Sequence, residues 1–324
     1  MNENKAIMST ELAGGRYEGI YEIGEDEYEC SLQFVFGCPK EKRHKEYIPA
    51  NVFSYQDLPE RYRDINLFQL IQVISFLTVK VTVQYTSLNR PQHVQNTNRP
   101  YPFGAERGSS KTRVGTGRIG TVWKFGEADG RSCPCTECQR SDNPKKTWGL
   151  IRVITAVHVV YDTSEAVQST CRFGFNDSCS PEVVFQGVDM ERADVNDDRC
   201  HLSCVTHNVA LIDSLKGQWS RYTTLHKKVM GRFRSPEDRL VAVVSHPHGC
   251  SKQISLGEWT HRDVTGESSP GHPFVKYTYT TATCRGSSGA TVYIMGRSWA
   301  LWYNQIHSGF NDHEQYNFSG NGCD

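Results

Sequence analysis

The sequence has 324 residues, enough for one large domain with an appendage or for two small domains. Its 36 lysine and arginine residues balance its 36 aspartate and glutamate residues, so the formal net charge is zero. A neutral chain argues against nucleic acid as the main partner, because nucleic-acid binding favours a strongly basic face.

The apolar pattern favours neither a secretory route nor a membrane partner. The first residues lack the apolar segment of a signal peptide. The most apolar run, residues 67–81, is interrupted by Gln69, Gln72 and Lys80 and is shorter than the ~20 apolar residues of a membrane span. We therefore expect a cytoplasmic protein, in which the twelve cysteines are thiols or metal ligands rather than disulfides.

Residues 1–110 are predicted to form an N-terminal extension of mixed α and β structure. A strand is predicted at 30–36, where apolar residues alternate. Apolar residues spaced for one helix face predict an amphipathic helix over 58–75. A strictly alternating, β-branched run predicts a strand over 77–85, and residues 88–108 read as an exposed loop.

From residue 111 the pattern changes to many short strands separated by turns, which is typical of an all-β sandwich or barrel. We expect a first β-barrel over 111–214, a solvated basic connection over 215–237 and a second β-barrel over 238–324. The predicted strands lie at 115–122, 148–160 (ending in a short helix or turn), 182–187, 200–212, 239–245, 253–259, 274–282, 291–295 and 299–306.

Three short motifs carry residues that are typical of nucleophilic catalysis. Thr155-Ala156-Val157-His158 follows an apolar strand, and Asn208-Val209-Ala210-Leu211 begins 50 residues after His158. Gly286-Ser287-Ser288-Gly289 places Ser288 80 residues after Asn208. A turn of this last kind exposes a hydroxyl and aims backbone N–H groups at one point, which an oxyanion requires.

In order and strand context these motifs resemble the trypsin-like serine proteases, over about residues 112–320. The resemblance implies a fold of two six-stranded antiparallel β-barrels, with the chain order histidine, acid, serine. It implies His158 as the general base, Ser288 as the nucleophile, and the backbone N–H groups of Gly286 and Ser288 as the oxyanion hole. This chemistry needs no cofactor.

The sequence departs from the family pattern at two positions. Asn208 stands where the resemblance places the triad aspartate, and it carries no charge to stabilise an imidazolium. Ser287 stands where trypsins have an aspartate that pairs with a new N-terminus, so no activation of that kind is expected. Asp197, Asp198 and Asp213 are alternative acids, although none is at the motif position. A weak enzyme and a pseudoprotease both stay open.

Within the family, the second half is most similar to the glutamyl-endopeptidase branch. Residues 243–259 resemble its strand–turn–strand, and Thr283 and His307 match residues of its substrate pocket. An imidazole and a hydroxyl hold a carboxylate by charge-assisted hydrogen bonds, so cleavage after acidic residues is one expectation. A generic small pocket is the other. His246 and His248, on either side of a proline, are interpreted as structural.

Three thiols lie within six residues at Cys133, Cys135 and Cys138, and the spacing of the last two is common in zinc knuckles. Structural zinc is one prediction for this cluster; reduced surface thiols and a disulfide are the alternatives. The candidates for a fourth ligand are Cys171, Cys179, Cys200 and Cys204.

The sequence therefore supports two main functional hypotheses. The first is a serine endopeptidase that cleaves peptide or protein substrates by acyl-enzyme chemistry. The second is a pseudoprotease that holds a protein partner. A third, weaker hypothesis is a zinc-stabilised interaction domain. None of these patterns specifies an oligomeric state.

Overall fold

The structure, a computed structural model, describes residues 19–24, 37–177, 179–297 and 304–324. The predicted strand at 30–36 and most of the one at 299–306 lie outside the described residues. The helices are α1 (Ile65–Leu77), α2 (Thr136–Gln139), α3 (Thr163–Ala166) and α4 (Val209–Arg232). The strands are β1 (Ile20–Tyr21), β2 (Ile48–Pro49), β3 (Thr78–Val83), β4 (Arg113–Phe125), β5 (Trp148–Thr155), β6 (Ser169–Phe173), β7 (Val183–Asp194), β8 (Arg199–Thr206), β9 (Leu240–Ser245), β10 (Gln253–Ser269), β11 (His272–Tyr279), β12 (Val292–Ile294), β13 (His307–Asn311), β14 (Tyr316–Ser319) and β15 (Gly322–Cys323).

Six antiparallel strands close into the first barrel, in the order β3-β4-β5-β8-β7-β6. Val81 of β3 lies opposite Gly115 of β4 on one side and opposite Cys171 of β6 on the other. The three valines of β3 are fully buried. The first barrel therefore begins at β3, and the predicted start at residue 111 is corrected, because the alternating run over 77–85 forms barrel wall rather than part of an extension.

The second unit is a curled nine-stranded sheet with the order β1-β13-β14-β11-β10-β9-β12; β15 adds to β11 and β2 adds to β10. Branched and aromatic side chains fill its interior, as suits a pleated surface. This core contains Val241, Val243, Val275, Tyr277, Tyr279, Ala290, Val292 and Ile294. The predicted all-β class and trypsin-like double-barrel fold are confirmed, with a closed first barrel and a curled second sheet.

The helix α4 occupies the region where the sequence predicted a strand to residue 212 and a solvated connection over 215–237. Its apolar residues recur at helical spacing and are buried, and α4 packs against α1. The connection is therefore an amphipathic helix, and its basic residues lie on the exposed face. Within the described ranges, no helix combines the length and the apolar character that crossing a membrane requires.

The N-terminal segment, defined as residues 19–24, lies between the two units. Its strand β1 pairs with β13 of the second sheet. Gly24 forms an antiparallel bridge with Val114 of β4 in the first barrel. The segment thus bridges the two units.

Candidate active site

The histidine predicted as the general base is buried just after β5 and is paired with an acid. His158 Nδ1 lies 2.8 and 2.7 Å from the two carboxylate oxygens of Asp198. The Ser308 hydroxyl, on β13, donates to the same carboxylate. Burial raises the pKa of Asp198, but the His158 imidazole and the Ser308 hydroxyl outweigh it and hold this pKa below its usual range. The ionised carboxylate keeps the proton on Nδ1, which leaves Nε2 as the basic atom.

The prediction that Asn208 is the third catalytic residue is corrected by this geometry. The Asn208 side chain caps α4 instead, because its Oδ1 accepts the Leu211 N–H at 3.0 Å. Asp198 comes from the turn before β8, and its φ of 50° lies in the left-handed region that aspartate tolerates. Sequence reasoning considered Asp198 only as a substitute, because it lies outside the matched motif.

Ser288 lies in a tight turn between β11 and β12 that depends on glycine. Gly286 and Gly289 have φ values of 91° and 84°, and a Cβ at Gly289 would lie 2.3 Å from the Thr116 carbonyl oxygen. Ser288 is fully buried. Among the described residues, neither its hydroxyl nor His158 Nε2 has a hydrogen-bond partner. The two groups are therefore not hydrogen-bonded to each other. A hydrogen bond between a nucleophile and its general base commonly tightens only when a substrate reacts.

The two N–H groups predicted as the oxyanion hole converge on one oxygen atom. The backbone N–H groups of Gly286 and Ser288 donate to the Glu22 carbonyl oxygen at 2.7 and 3.2 Å. Thr116 supports the turn from the barrel side, because its hydroxyl donates to the Gly286 carbonyl oxygen at 2.8 Å. This arrangement has the geometry to polarise a carbonyl group.

The Glu22 carboxylate is buried in a polar pocket that includes both residues predicted to line it. Glu22 Oε2 lies 2.7 Å from His307 Nε2, and Lys40 Nζ donates to Oε1. His307 Nδ1 lies 2.6 Å from the Tyr279 hydroxyl. Lys40 Nζ also donates to the Thr283 carbonyl oxygen at 3.1 Å and to the Thr283 hydroxyl at 3.4 Å. Thr283 therefore joins the pocket through Lys40.

Charge in this pocket keeps Glu22 ionised. Burial raises the pKa of Glu22, but the Lys40 ammonium and the His307 hydrogen bond more than offset it and lower this pKa to about 2. Burial also lowers the pKa of His307, which favours the neutral imidazole and leaves the Lys40 ammonium as the main counter-ion of Glu22. Sequence reasoning missed Lys40, which lies 243 residues from Thr283 and outside the matched motifs.

The three cysteines predicted as zinc ligands converge on a histidine. His207 Nε2 lies 3.2, 3.7 and 3.4 Å from the Sγ atoms of Cys133, Cys135 and Cys138. Tetrahedral zinc, with bonds of about 2.3 Å to sulfur and about 2.0 Å to nitrogen, separates such ligands by about 3.5 Å, so these side chains fit zinc. The fourth candidate ligand is thus His207. The other cysteines considered for this role lie in the hydrophobic core or are exposed: Cys171, Cys200, Cys204 and Cys179.

A second Cys/His group lies beside the Ser288 turn and was not predicted. Cys38, His44, His248 and Cys284 offer ligand atoms that all lie within 4.8 Å of one another. The Sγ atoms of Cys38 and Cys284 are 3.9 Å apart, and Cys284 Sγ lies 3.4 Å from His44 Nε2. His248, interpreted from the sequence as structural, therefore belongs to a cluster of four candidate metal ligands.

No family model and no curated protein matches the chain. Among solved structures, it is similar to the Rv3671c protease of M. tuberculosis in its active form, with 15% identity, a TM-score of 0.40, and coverage of 79% of this chain and 82% of that chain. An inactive form of Rv3671c protease gives 14% identity, a TM-score of 0.38, and coverage of 79% and 90%. Neither likeness points to the glutamyl-endopeptidase branch, which stays a prediction, and the site rests on its own geometry.

Proposed function

We propose that the chain is a serine-type endopeptidase that cleaves peptide or protein substrates after acidic residues. The observation that carries the proposal is the convergence of the Gly286 and Ser288 N–H groups on one carbonyl oxygen. That carbonyl belongs to Glu22, and the ring of the preceding Tyr21 lies over His158, the histidine held by Asp198.

Each residue of the site has one role in this chemistry. Ser288 Oγ attacks the carbonyl carbon while His158 Nε2 takes the hydroxyl proton, and Asp198 stabilises the imidazolium that forms. The Gly286 and Ser288 N–H groups hold the developing oxyanion. His158 then gives the proton to the leaving amine. A water molecule, activated by the same imidazole, hydrolyses the acyl-enzyme.

The acidic preference rests on Lys40 and His307, which both contact the Glu22 carboxylate. The Lys40 side chain is only 10% exposed, so a neutral substrate side chain would leave a buried ammonium without its counter-ion. Sites built to pair with a polar group reject analogues that lack it strongly, and we expect glutamate to be favoured over glutamine by about 100-fold or more.

A fluorophosphonate probe and a matched peptide series test this function. We expect the purified full chain to be labelled on Ser288 and to cleave fluorogenic peptides after glutamate, faster than after glutamine or alanine. Ser288→Ala should lose both activities, whereas Ser287→Ala, which removes the neighbouring hydroxyl, should keep the label. The proposal would be contradicted if two folded proteins, the wild type and a variant with the N-terminal segment displaced, both failed to react with the probe and with the peptides.

The pseudoprotease hypothesis rested on Asn208 at the acid position, and an aspartate beside His158 removes that reason for it. It becomes one outcome of the same test: peptide binding without turnover, unchanged by Ser288→Ala.

We also infer a structural zinc ion bound by Cys133, Cys135, Cys138 and His207, whose four ligand atoms lie within 4.8 Å of one another. This ion would hold the loop before β5 against the end of β8 and would take no part in peptide cleavage. The cytoplasmic location stays a prediction; a reducing compartment keeps such thiols available as ligands.

A further inference from the structure

The N-terminal segment lies in the proposed active site in the manner of a bound peptide. On one side of Glu22, β1 adds to β13 as an antiparallel strand. On the other side, the Gly24 N–H donates to the Val114 carbonyl oxygen at 2.9 Å, and the Val114 N–H donates back to the Gly24 carbonyl oxygen at 2.8 Å. Main-chain hydrogen bonds of this kind are how proteins bind extended peptides.

The side chains of the segment agree with this pose. The Tyr21 ring lies over the general base, with its centroid 4.6 Å from that of His158. The Tyr21 hydroxyl accepts a hydrogen bond from Arg99 at 3.1 Å. Glu22 places its carboxylate between Lys40 and His307, while its carbonyl oxygen receives both oxyanion-hole donors. One residue therefore satisfies the recognition pocket and the reaction centre together.

We propose that the peptide bond between Glu22 and Ile23 is a substrate of the chain's own active site, cleaved within the same molecule. This inference rests on the proposed endopeptidase function and names a substrate for it. Because the segment is covalently attached, its effective concentration at the site does not depend on the concentration of the protein.

The reaction is ordinary acyl transfer. Ser288 Oγ forms a bond to the Glu22 carbonyl carbon while its proton passes to His158. The C–N bond to Ile23 then breaks, and the proton moves from His158 to the Ile23 nitrogen, which becomes a free amine. Water hydrolyses the ester, so Glu22 leaves as a free carboxylate and Ser288 regains its hydroxyl. The products are residues 1–22 and residues 23–324.

Intact-mass and N-terminal sequence measurements on the full chain test the inference, with the time course followed in cell-free translation. We expect a product that begins at Ile23 and a first-order rate that does not change with protein concentration. Ser288→Ala should stay full length. Glu22→Gln should slow the cleavage about 100-fold, because the neutral side chain leaves Lys40 unpaired. The matched control Glu18→Gln, at a glutamate that also follows a tyrosine, should leave the rate unchanged.

A parallel peptide assay separates failure of this inference from failure of the proposed function. Glu22→Lys places a positive charge against Lys40 and should displace the segment. One outcome is that the wild type keeps the Glu22–Ile23 bond while either the wild type or Glu22→Lys cleaves a separate glutamate peptide. In that case the segment is not a substrate, self-cleavage is overturned and the proposed function stands. If neither protein cleaves the peptide or the bond, both proposals fall. Cleavage at Glu18, or a rate proportional to protein concentration, also overturns the inference.

An independent observation carries a second inference. We infer that Cys38, His44, His248 and Cys284 bind a structural zinc ion of the two-cysteine, two-histidine class. The two Sγ atoms are 3.9 Å apart, and two sulfur ligands of tetrahedral zinc are separated by about 3.8 Å. Cys284 Sγ and His44 Nε2 are 3.4 Å apart, and a sulfur and a nitrogen ligand are separated by about 3.5 Å. The His44 and His248 rings meet edge to face, with centroids 5.2 Å apart.

The place of this site in the fold gives it a consequence. Cys38 and His44 flank Lys40 along the chain, whereas Cys284 lies four residues before Ser288. A zinc ion would therefore tie the residue that recognises the carboxylate to the turn that carries the nucleophile.

Metal analysis of the purified chain tests the second site. We expect two zinc ions per chain in the wild type, one in His44→Ala, one in Cys138→Ser, and none in the double variant. The exposed His313 provides the control His313→Ala, which should keep two. Cobalt substitution of Cys138→Ser should give the absorption of a tetrahedral cobalt–thiolate site, which reports on the remaining cluster directly. A wild type with one zinc that only Cys138→Ser loses, or a disulfide between Cys38 and Cys284, would overturn the inference.

Discussion

Replacing Lys40 by methionine tests the physical origin of the acidic preference. Lys40 Nζ donates to Glu22 Oε1 in a pocket where the Glu22 side chain is 5% exposed. Methionine keeps most of the volume of lysine but removes the ammonium group. A substrate carboxylate would then be buried beside the His307 imidazole without the Lys40 cation, which costs free energy that the wild-type pocket offsets through charge pairing.

The pKa of Glu22 sets the magnitude of the effect. This pKa falls from 4.5 to about 2 although burial raises it, and Lys40 is the first of the groups that lower it. Each pKa unit corresponds to about 1.4 kcal/mol, so the pocket favours the ionised side chain by about 3 kcal/mol. Removing Lys40 should abolish most of this preference, which amounts to about a 30- to 100-fold change in selectivity.

The assay is the ratio of kcat/KM for two peptides that differ only by glutamate or glutamine before the scissile bond. Lys40→Met should lower this ratio by about 30- to 100-fold, mainly through the glutamate peptide. Lys42→Met, at an exposed lysine two residues further on, should leave it unchanged. A folded Lys40→Met protein with the wild-type ratio would refute the electrostatic explanation. An equal loss for both peptides would show that Lys40 positions the turn instead of recognising the carboxylate.

The other predictions concern the acid, the pH dependence and the metal. Asp198→Asn should lower kcat by about 10⁴, as the same change does in trypsin-type enzymes, whereas Asn208→Asp should leave steady-state turnover unchanged because residue 208 caps α4. The pKa of Glu22 is lowered to about 2 in the fold, so its stabilising contribution is complete above its ordinary pKa of 4.5 and is lost as the pH falls towards 2. The urea midpoints of Ser288→Ala and Ser288→Ala/Glu22→Gln should therefore converge as the pH falls from 4.5 to about 2. Cys138→Ser should remove one zinc ion per chain by metal analysis and lower Tm by calorimetry.

The residues proposed as general base and nucleophile could be located from the sequence because each lies in a local motif. His158 directly follows a buried strand, and the glycines around Ser288 mark a turn that needs positive φ at two positions. Such motifs depend on neighbouring residues only, so they can be recognised without knowledge of the fold. The same holds for β3 and α1, whose periodicities predicted a strand and a helix within two residues of their observed C-terminal ends.

The proposed acid and the fourth candidate ligand of the Cys133, Cys135 and Cys138 cluster could not be predicted in the same way. Asp198 reaches His158 from the turn before β8, and His207 reaches the cysteine loop after the end of the same strand. Both depend on the pairing of β5 with β8, which no local pattern specifies. The motif at Asn208 was misleading because a good helix cap and a family position coincided there.

The helix α4 shows how a resemblance can outweigh a periodicity that is present in the sequence. Ile212, Leu215, Tyr222 and Leu225 recur at helical spacing and are buried. Because the resemblance implied a barrel strand at Asn208, Ile212 was assigned to that strand. The other three residues were assigned to a solvated connection. Lys40 was missed for a different reason: it reaches its pocket from a part of the chain that the resemblance does not cover.

Three consecutive residues of β13 serve three different parts of the site. His307 contacts the Glu22 carboxylate, Ser308 supports Asp198, and Gly309 pairs with β1. A β-bulge against β14 between His307 and Gly309 gives these neighbours their separate directions. Insertion or deletion of one residue would exchange the faces of the strand and remove recognition, acid support and peptide pairing in a single step. Under the proposed function, a change of specificity through this strand is therefore expected to come from substitutions at fixed length.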